Sequence, residues 1–352
     1  MTRTLRTAIP FWADRSISPR MAASFAQYLE ASGDVDFFWV WDQLTSWWPK
    51  ALWSSEYTPA AATATDCDSF HDAFITAGIA AAATDRLGVL IGGTDAIRNG
   101  PAELTQTMLS LAATSGGDAI CLVAAGELKQ VKPFGYRRSE GLGRMEDVLR
   151  ITRMLLDAER PINFDGNHWR LRDAWIGAVR ERVPQFWTLG GGPRLIELSG
   201  RYADGFTTAF PAVFPRPEEY AHEVRKVRSV VESSGRDPDS FGLGLQVAAM
   251  IHDDPAVIEA AMVNPLVKWF AAVAGRFQQG KWLDEGIEPV WPPDFHYALR
   301  LLPASYSRED AIDVVSRVPD RMVQLSVAHG TPQEVADQIL PFIEAGANFV
   351  QI

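Results

Sequence analysis

Two acidic residues follow apolar segments and could take part in proton transfer. Asp42 closes the run 36–42, and Glu127 directly follows the run 119–126. A carboxyl group in an apolar setting can have a raised pKa and can act as a general acid or base. Each side chain could equally hydrogen-bond a neighbouring loop, and the residues alone leave both interpretations open.

Three consecutive glycines indicate an anion-binding loop. Gly190, Gly191 and Gly192 follow an apolar segment and precede a helix predicted to begin at Pro193. Glycine lets the backbone approach a ligand closely, and a helix N-terminus offers unpaired N–H groups to an anion. A phosphate site is the functional interpretation, and a tight turn without a ligand is the structural one.

Tryptophan is concentrated near the start of the chain, where six of the 12 tryptophans precede residue 54. Trp47, Trp48 and Trp53 lie on the predicted loop after the second apolar strand. Aromatic side chains there could form the wall of a site for a flat ring or an apolar substrate. Packing beneath a lid is the alternative.

Several other chemistries lack support in the sequence. The six histidines show no metal-ligand spacing, and no GxSxG motif occurs, so we predict neither a metal site nor a serine triad. The net charge of −11 argues against nonspecific nucleic-acid binding. The two cysteines, Cys67 and Cys121, have no CxxC spacing and are predicted to be buried thiols in a reducing cytoplasm. We see no signal peptide and no apolar stretch of the roughly 18 residues that a membrane span needs.

Apolar strands and amphipathic helices alternate along the chain, and eight major strands can be counted. The predicted strands are Leu5–Trp12, Asp36–Asp42, Leu87–Gly93, Ala119–Gly126, Gln185–Leu189, Gly205–Ala209, Gly242–Met250 and Asn348–Ile352. Every strand but the last is followed by a predicted helix, which favours a (β/α)8 barrel (TIM barrel) over an open sheet. The active site of such a barrel lies at the C-terminal strand ends, where Asp42, Glu127 and the three glycines fall.

Two segments interrupt the alternation. Residues 162–171 contain Asp165-Gly166 between extended residues and are predicted to form a β-hairpin. Residues 253–330 form a long insertion before the last βα unit, and it either covers the barrel mouth or packs outside the barrel. We treat residues 1–352 as one barrel domain that carries this insertion.

Four segments, in order and at consistent spacing, carry a resemblance to a known family. They are Asp72–Phe74 with Ala83–Gly88, Arg98–Ala102 with Ser115–Gly117, Ala125–Glu127 with Pro133–Gly135, and Gly191–Pro193 with Gly200–Gly205. Together they resemble the luciferase-like flavin and deazaflavin oxidoreductase superfamily over nearly the whole chain. The loop from Asp42 to Tyr57 and the turn at Thr94 are most similar to coenzyme F420-dependent reductases of the phthiodiolone ketoreductase type.

The resemblance implies a luciferase-like TIM barrel that holds coenzyme F420, with FMN as the alternative cofactor. It implies that Asp42 contacts the ring or its side chain, and that the phosphate lies at Gly190, Gly191 and Gly192. Ring contacts would come from Ile91, Gly92, Gly93 and Thr94. A non-prolyl cis peptide bond would lie in that segment, and we expect it between Ile91 and Gly92.

One position departs from the family pattern. Deazaflavin-dependent dehydrogenases place a histidine after the aspartate of strand two, whereas this chain has Gln43. An amide can donate and accept hydrogen bonds, but it cannot shuttle a proton near neutral pH. Glu127 matches the family's second acidic residue, and Trp47 matches an aromatic residue beside the ring. The proton donor could therefore be Glu127, Glu56, Tyr57 or a bound water, or Gln43 could only position the substrate carbonyl.

The leading hypothesis is a cytoplasmic oxidoreductase that transfers hydride between F420 and a hydrophobic carbonyl compound or activated alkene. One alternative is an FMN-dependent monooxygenase supplied by a reductase partner, and another is a non-catalytic flavin-binding barrel. The chain stops at Ile352 in the predicted last strand, whereas relatives continue into a further helix. We expect that apolar surface left exposed there would favour a homodimer.

Overall fold

Eight parallel strands close into a barrel in the computed structural model, which describes residues 5–177 and 179–352. The barrel strands are β1 (Arg6–Phe11), β2 (Phe37–Val40), β3 (Gly88–Asp95), β4 (Ala119–Ala124), β7 (Gln185–Leu189), β8 (Gly205–Phe210), β9 (Gly242–Val247) and β12 (Phe349–Gln351). Barrel strands that follow one another along the chain are adjacent in the barrel, and β12 closes the ring between β9 and β1. The predicted (β/α)8 barrel is confirmed.

Four shorter strands lie outside the barrel. The antiparallel pair β5 (Ile162–Asp165) and β6 (Arg170–Ala174) is the hairpin predicted from Asp165-Gly166. The predicted strand Gly242–Met250 is divided in two, because β9 ends at Val247 and β10 (Ala249–Ile251) leaves the barrel to pair with β11 (Ala328–Gly330).

Helices connect the barrel strands, and five α-helices lie in the insertion. They are α1 (Met21–Ser32), α2 (Ala73–Ala81), α3 (Pro101–Thr114), α4 (Leu128–Val131), α5 (Gly141–Asp157), α6 (Pro193–Tyr202), α7 (Pro217–Ser233), α8 (Pro255–Met262), α9 (Pro265–Ala274), α10 (Tyr297–Arg300), α11 (Arg308–Ser316), α12 (Asp320–Gln324) and α13 (Pro332–Glu344). Proline at the first turn marks the start of several of them, as the fixed φ of proline favours.

The strands are continuously apolar because both of their faces are buried. Trp39, Leu90 and Trp187 belong to a cluster that fills the barrel interior. Phe38 and Ile91, which follow Phe37 and Leu90 in their strands, instead pack in the layer between strands and helices. Since side chains alternate along a strand, the filled interior leaves the C-terminal mouth as the place for a ligand.

The insertion has an apolar core of its own, and this core includes part of the loop after β2. Trp269 and Trp282 are fully buried in it, and Trp47, Trp48 and Trp53 pack against it. The indole N–H of Trp269 donates to the backbone oxygen of Trp47 at 2.7 Å. That of Trp48 donates to the backbone oxygen of Leu266 at 3.0 Å.

No single helix within the described ranges is long and apolar enough to cross a bilayer. Only α8 and α9 together reach the required length and composition, and their axes are bent by 67° at the break between them.

Candidate active site

Asp42 joins the C-terminal ends of β2 and β3. Its carboxylate accepts a hydrogen bond from Thr94 Oγ1 at 2.5 Å and forms an ion pair with Arg98 Nη2 at 2.9 Å. Arg98 also pairs with Asp95, with 2.5 Å between Nε and Oδ2, and Asn99 donates to Thr94 Oγ1 at 2.8 Å. The side chain of Asp42 is therefore held in one orientation at the barrel mouth.

Burial is the largest influence on the ionisation of this cluster. It raises the pKa of the Asp42 carboxyl above its ordinary value, although the Arg98 guanidinium and the Thr94 hydroxyl oppose the shift. Burial acts to lower the pKa of Arg98, but the carboxylates of Asp42 and Asp95 outweigh it and raise that pKa. Arg98 therefore stays charged and supplies the positive charge at this edge of the mouth.

The loop after β2 is fastened to the loop after β4. Gln130 Oε1 accepts from the backbone N–H groups of Leu44 and Thr45 at 2.8 and 3.2 Å, and Gln130 Nε2 donates to the Thr45 carbonyl at 2.8 Å. Thr45 Oγ1 donates to the Lys129 carbonyl at 3.0 Å. These bonds bring the segment that begins at Gln43 next to the segment that begins at Glu127.

Gln43 lies immediately before the fastened segment. Its side chain is buried, and its amide makes no hydrogen bond to any residue in the ranges 5–177 and 179–352. The amide nitrogen and oxygen are not among the buried polar atoms that lack a partner, so they reach solvent at the mouth. Gln43 is thus a polar group of this loop that is free to bind a ligand.

Glu127 is held by two residues that sequence analysis did not identify. Lys129 Nζ forms an ion pair with Glu127 Oε2 at 2.8 Å, and the Tyr297 hydroxyl donates to Glu127 Oε1. The side chain of Lys129 is only 1% exposed, whereas that of Glu127 is 22% exposed and so can be reached from the mouth. Burial lowers the pKa of Lys129 and raises that of Tyr297, and Glu127 opposes the first shift while it adds to the second.

Trp47 contacts the same cluster through its ring. The Lys129 ammonium lies 4.9 Å from the ring centroid of Trp47, which is within cation–π distance. The Trp47 ring also packs edge-on against Trp41 at 5.4 Å, and Trp41 packs against Trp39 at 4.5 Å. A continuous aromatic surface therefore runs from Glu127 towards the barrel strands.

The end of β3 contains the expected cis peptide bond, but at a different position. It joins Gly92 to Gly93, so the expectation of Ile91–Gly92 is wrong by one residue. The register of β3 against β4 shifts between Gly92 and Thr94, which places the irregularity after Gly92. A Cβ atom at Gly92 would lie 2.7 Å from Cγ of Leu122, so this position requires glycine, whereas one at Gly93 would meet only the terminal methyl group of Leu189 at 2.6 Å.

The glycine loop after β7 has an exposed and a packed part. Gly190 adopts φ +153°, and a Cβ at Gly191 would lie 2.2 Å from Val213. Gly192, at the N-cap of the ten-residue helix α6, has no atom within 4 Å of a would-be Cβ. The loop is thus open to a ligand at Gly192, where the N-terminal end of α6 favours an anion.

The structure brings most of the predicted site residues to one end of the barrel. Asp42 and Thr94 touch directly, Glu127 and Trp47 share Lys129, and Gly93 approaches Leu189 just before the glycine loop. The exception is Ile91, whose side chain is fully buried in the layer outside the barrel. Only the backbone of Ile91 can face the mouth.

Lys129 and Tyr297 were missed for different reasons. Lys129 stands in the unremarkable segment Leu128–Val131, and its burial arises only from the packing of the two loops. Tyr297 lies 170 residues from Glu127, inside the insertion. A lysine two residues after the Glu127 carboxylate was the one signal that could have indicated a pair.

Three possible metal ligands lie close together in the part of the chain that the structure describes. Suitable atoms of Asp66, Cys67 and Asp68 lie within 4.8 Å of one another. Lys50 Nζ already pairs with Asp66 at 2.7 Å, and Asp68 Oδ1 accepts from the backbone N–H of Ser46 at 2.8 Å. Burial raises the pKa of the Cys67 thiol to about 12. Asp66 is therefore already paired with the Lys50 ammonium, and Asp68 already binds the backbone of the loop at Ser46.

Comparison with known proteins agrees with this fold. The luciferase-like monooxygenase family profile matches residues 6–348, and the chain belongs to this family. The resemblance found in the sequence is thus confirmed, and the protein is an enzyme of the oxidoreductase class.

The relatives include both an F420-dependent dehydrogenase and a monooxygenase. The phthiodiolone/phenolphthiodiolone dimycocerosates ketoreductase of Mycobacterium tuberculosis is 27% identical over 322 residues, which cover 90% of this chain and 83% of the relative. An F420-dependent secondary alcohol dehydrogenase, solved with an F420-acetone adduct, aligns with a TM-score of 0.72 and 20% identity over 99% of this chain and 92% of its own. The EDTA monooxygenase of Chelativorans sp. aligns with a TM-score of 0.65 and 15% identity over 99% of this chain and 89% of its own. The two structural similarities show the barrel fold alone.

Proposed function

We propose that this enzyme transfers hydride between coenzyme F420 and an apolar carbonyl compound or activated alkene. The observation that carries the proposal is the free amide of Gln43 on the loop that Lys129 and Gln130 fasten to Glu127. A hydrogen-bond donor and a proton-holding carboxyl group are what the reduction of a carbonyl group requires. The ketoreductase relative in Mycobacterium tuberculosis supports this reaction class.

The residues present fit a cofactor with a flat ring and a phosphate group. The glycines at the end of β3 let the backbone pack closely on Leu122 and Leu189, and the ring would lie against this backbone. Gly192 at the start of α6 leaves open space beside unpaired backbone N–H groups. Asp42 would hydrogen-bond the ring or its side chain, and Gly190, Gly191 and Gly192 would hold the phosphate.

Coenzyme F420, when bound at this mouth, would supply the hydride that the carbonyl carbon of the substrate accepts. Gln43 Nε2 donates a hydrogen bond to the carbonyl oxygen as the C=O π bond breaks, and the electron pair of that bond moves to this oxygen. Glu127 takes up a proton from solvent through its exposed edge and then delivers it to this oxygen, and Lys129 and Tyr297 hold the carboxyl group in place before and after the transfer. The buried ammonium of Lys129 compensates the negative charge that remains on Glu127.

An apolar cavity supports the assignment of an apolar substrate. It has a volume of about 460 Å³ and is lined mainly by Pro10, Trp12, Trp39, Trp41, Val247 and Ile251. Trp41 belongs both to this lining and to the aromatic surface that reaches Trp47. A substrate whose carbonyl lies at Gln43 would extend its apolar part along this surface.

The insertion 253–330 would act as the cover of this mouth, within a single barrel domain. Tyr297 reaches Glu127 from the insertion, and Trp269 hydrogen-bonds the backbone of Trp47. A homodimer and a flavin or F420 reductase partner remain predictions.

The test is a paired titration of the purified protein with F420 and with FMN, followed by fluorescence. Tight F420 binding and weak FMN binding are expected, and a screen of ketones with reduced F420 then follows. A preference for FMN, with oxygen consumed in the presence of a reductase, would replace the proposal by monooxygenase activity. Turnover that is unchanged in E127Q would exclude Glu127 as the proton donor.

A further inference from the structure

Arg138 is a largely buried cation without a partner. It begins the short turn Arg138–Glu140 that precedes α5. Its Nε is buried and makes no hydrogen bond, and its guanidinium forms no ion pair with any residue that the structure describes. The neighbouring Arg137 is 81% exposed and pairs with Glu140, which Arg144 also contacts at 2.8 Å. Arg138 thus differs from the arginines beside it.

The carboxylates near Arg138 are already occupied. The negative charges of Glu127 and Asp95 act on Arg138, so both residues lie within electrostatic range. Lys129 and Tyr297 hold the two oxygens of Glu127. Arg98 and the backbone N–H groups of Ile97 and Arg98 hold those of Asp95. A guanidinium that is partly removed from water and has no anion costs free energy, so the surroundings of Arg138 favour the binding of a further negatively charged group.

A second nitrogen without a partner lies next to the same cluster. His296 immediately precedes Tyr297, and their rings are stacked at 6.0 Å with planes 14° apart. Nδ1 of His296 is buried without a hydrogen bond. Burial lowers the pKa of His296, the positive charge of Arg138 lowers it further, and Glu127 opposes both effects. A Cβ atom at Gly141 would lie 1.9 Å from the Ala125 carbonyl oxygen and 2.7 Å from Nη1 of Arg138, so Arg138 lies beside the start of the Glu127 loop, and its charge reaches His296.

The start of α5 adds to the positive potential. A Cβ atom at Gly141 would lie 2.7 Å from Nη1 of Arg138, so the guanidinium lies over the first turn of this 17-residue helix. The N-terminal end of a helix carries partial positive charge and favours anions. The unpaired side chain of Arg138 and the N-terminal end of α5 therefore both favour the binding of an anion.

We propose that Arg138, with His296 beside it, binds an oxyanion, a carboxylate or phosphate group carried by the substrate or by the cofactor. The guanidinium would bind two oxygens of this group in parallel, and His296 would add a third polar contact. The ligand is then a reactant that carries a negative charge near the Glu127 cluster as well as an apolar part. This proposal rests on the proposed function for the identity of the reactant, but the binding of the anion can be measured without turnover.

The first experiment follows the six histidines by NMR in protein labelled with ¹³C-histidine, with the His296 signal assigned from H296Q. Inorganic phosphate and butyrate are the probes, and sodium chloride at equal ionic strength is the control. We expect each probe to raise the pKa of His296 in the wild type and in R137Q. In R138Q we expect a higher starting pKa and an affinity for the probes that is lower by about tenfold to a hundredfold.

Two results would overturn the proposal. One is an equal response to chloride and to the probes, which would indicate screening alone. The other is an equal response of R137Q and R138Q. If R138Q fails to fold, R138K replaces it. The comparison of phosphate with chloride in the wild type then still shows whether an oxyanion binds specifically.

The second experiment identifies the source of the oxyanion. If the cofactor carries it, R138Q weakens F420 binding by about tenfold or more while R137Q does not. If the substrate carries it, F420 binding is the same in all three proteins, and R138Q raises the KM of an acidic ketone without changing that of a neutral ketone. Complete failure to bind F420 would refute the proposed function, whereas the phosphate titration would still decide the role of Arg138.

Discussion

The hydroxyl of Tyr297 donates a hydrogen bond to Glu127 across 170 residues of sequence. The two side chains come from different parts of the fold, because Glu127 follows a barrel strand and Tyr297 begins a short helix of the insertion. The same carboxylate pairs with Lys129. One acidic group therefore links the loop after β4 to the insertion and is fixed on both of its oxygens.

The first prediction concerns the pair between Glu127 and Lys129. E127Q leaves a buried ammonium without its carboxylate, and K129M leaves a carboxylate without its cation. Each change is expected to lower the free energy of unfolding by about 3 kcal/mol. The double variant E127Q/K129M should lose less than the sum of the two, since neither charge is then left alone. Urea unfolding of the four proteins measures the coupling.

The control for this cycle is an exposed ion pair. Arg172 and Asp165 form one at 2.7 Å with both side chains 60% or more exposed. R172M should change the free energy of unfolding by less than about 1 kcal/mol. Strictly additive losses in E127Q and K129M would mean that the two buried side chains do not depend on each other.

The second prediction separates two glutamines of the mouth. Q130L removes the hydrogen bonds to Leu44 and Thr45 and is expected to cost about 1–3 kcal/mol of unfolding free energy. Q43L keeps the volume of a side chain that has no hydrogen bond to lose, so its stability should stay within about 1 kcal/mol of the wild type. If Gln43 binds the substrate carbonyl, kcat of Q43L should fall by about 100-fold. Stability of Q43L as low as that of Q130L would instead assign Gln43 to the framework of the loop.

The third prediction tests the glycine loop. G192A places a methyl group in open space at an ordinary backbone φ of −75°, so the folded state should tolerate it. If the cofactor phosphate lies at this loop, the methyl group should weaken binding of F420 by about tenfold. Calorimetric titration measures this effect, and thermal unfolding checks the fold. G191A is the contrasting variant, because its methyl group would collide with Val213 and should lower stability. Full affinity in G192A would place the phosphate elsewhere.

The barrel was predictable because it depends on local patterns. Continuous apolar strands and proline-initiated helices repeat along the chain, and each unit packs against its neighbours in sequence order. The predicted ends of strands were less accurate where tertiary contacts determine how far a strand extends. β3, for example, continues through Gly93 to Asp95 because its bulge still pairs with β4.

The site was only partly predictable for the same reason. Asp42 and Glu127 could be found since both directly follow apolar strands. The partner Arg98 stands beyond the end of β3, and Tyr297 and His296 come from the insertion, so no local pattern connects them with Asp42 or Glu127. The contacts that orient the carboxylates depend on the packing of loops far apart in sequence.

The fourth prediction concerns the two cysteines, both of which are buried free thiols. Burial raises the pKa of Cys67 from 9.0 to about 12 and also raises that of Cys121. In the folded protein both thiols should resist an aromatic disulfide reagent at pH 8, and both should react once guanidinium unfolds the chain. Fast reaction of either thiol in the folded protein would contradict its burial.

The same shift makes stability depend on alkaline pH. Above pH 9 the unfolded chain loses the proton of Cys67 while the folded chain keeps it, so deprotonation lowers the free energy of the unfolded state relative to the folded state. The free energy of unfolding should therefore fall as pH rises above 9, by up to about 1.4 kcal/mol per pH unit for one thiol. C67S removes this contribution and should give a flatter profile between pH 9 and 11 than the wild type. Since Tyr297 and Lys129 are the same in both proteins, the difference between the two profiles reports Cys67, and parallel profiles would show that its thiol is not protected by the fold.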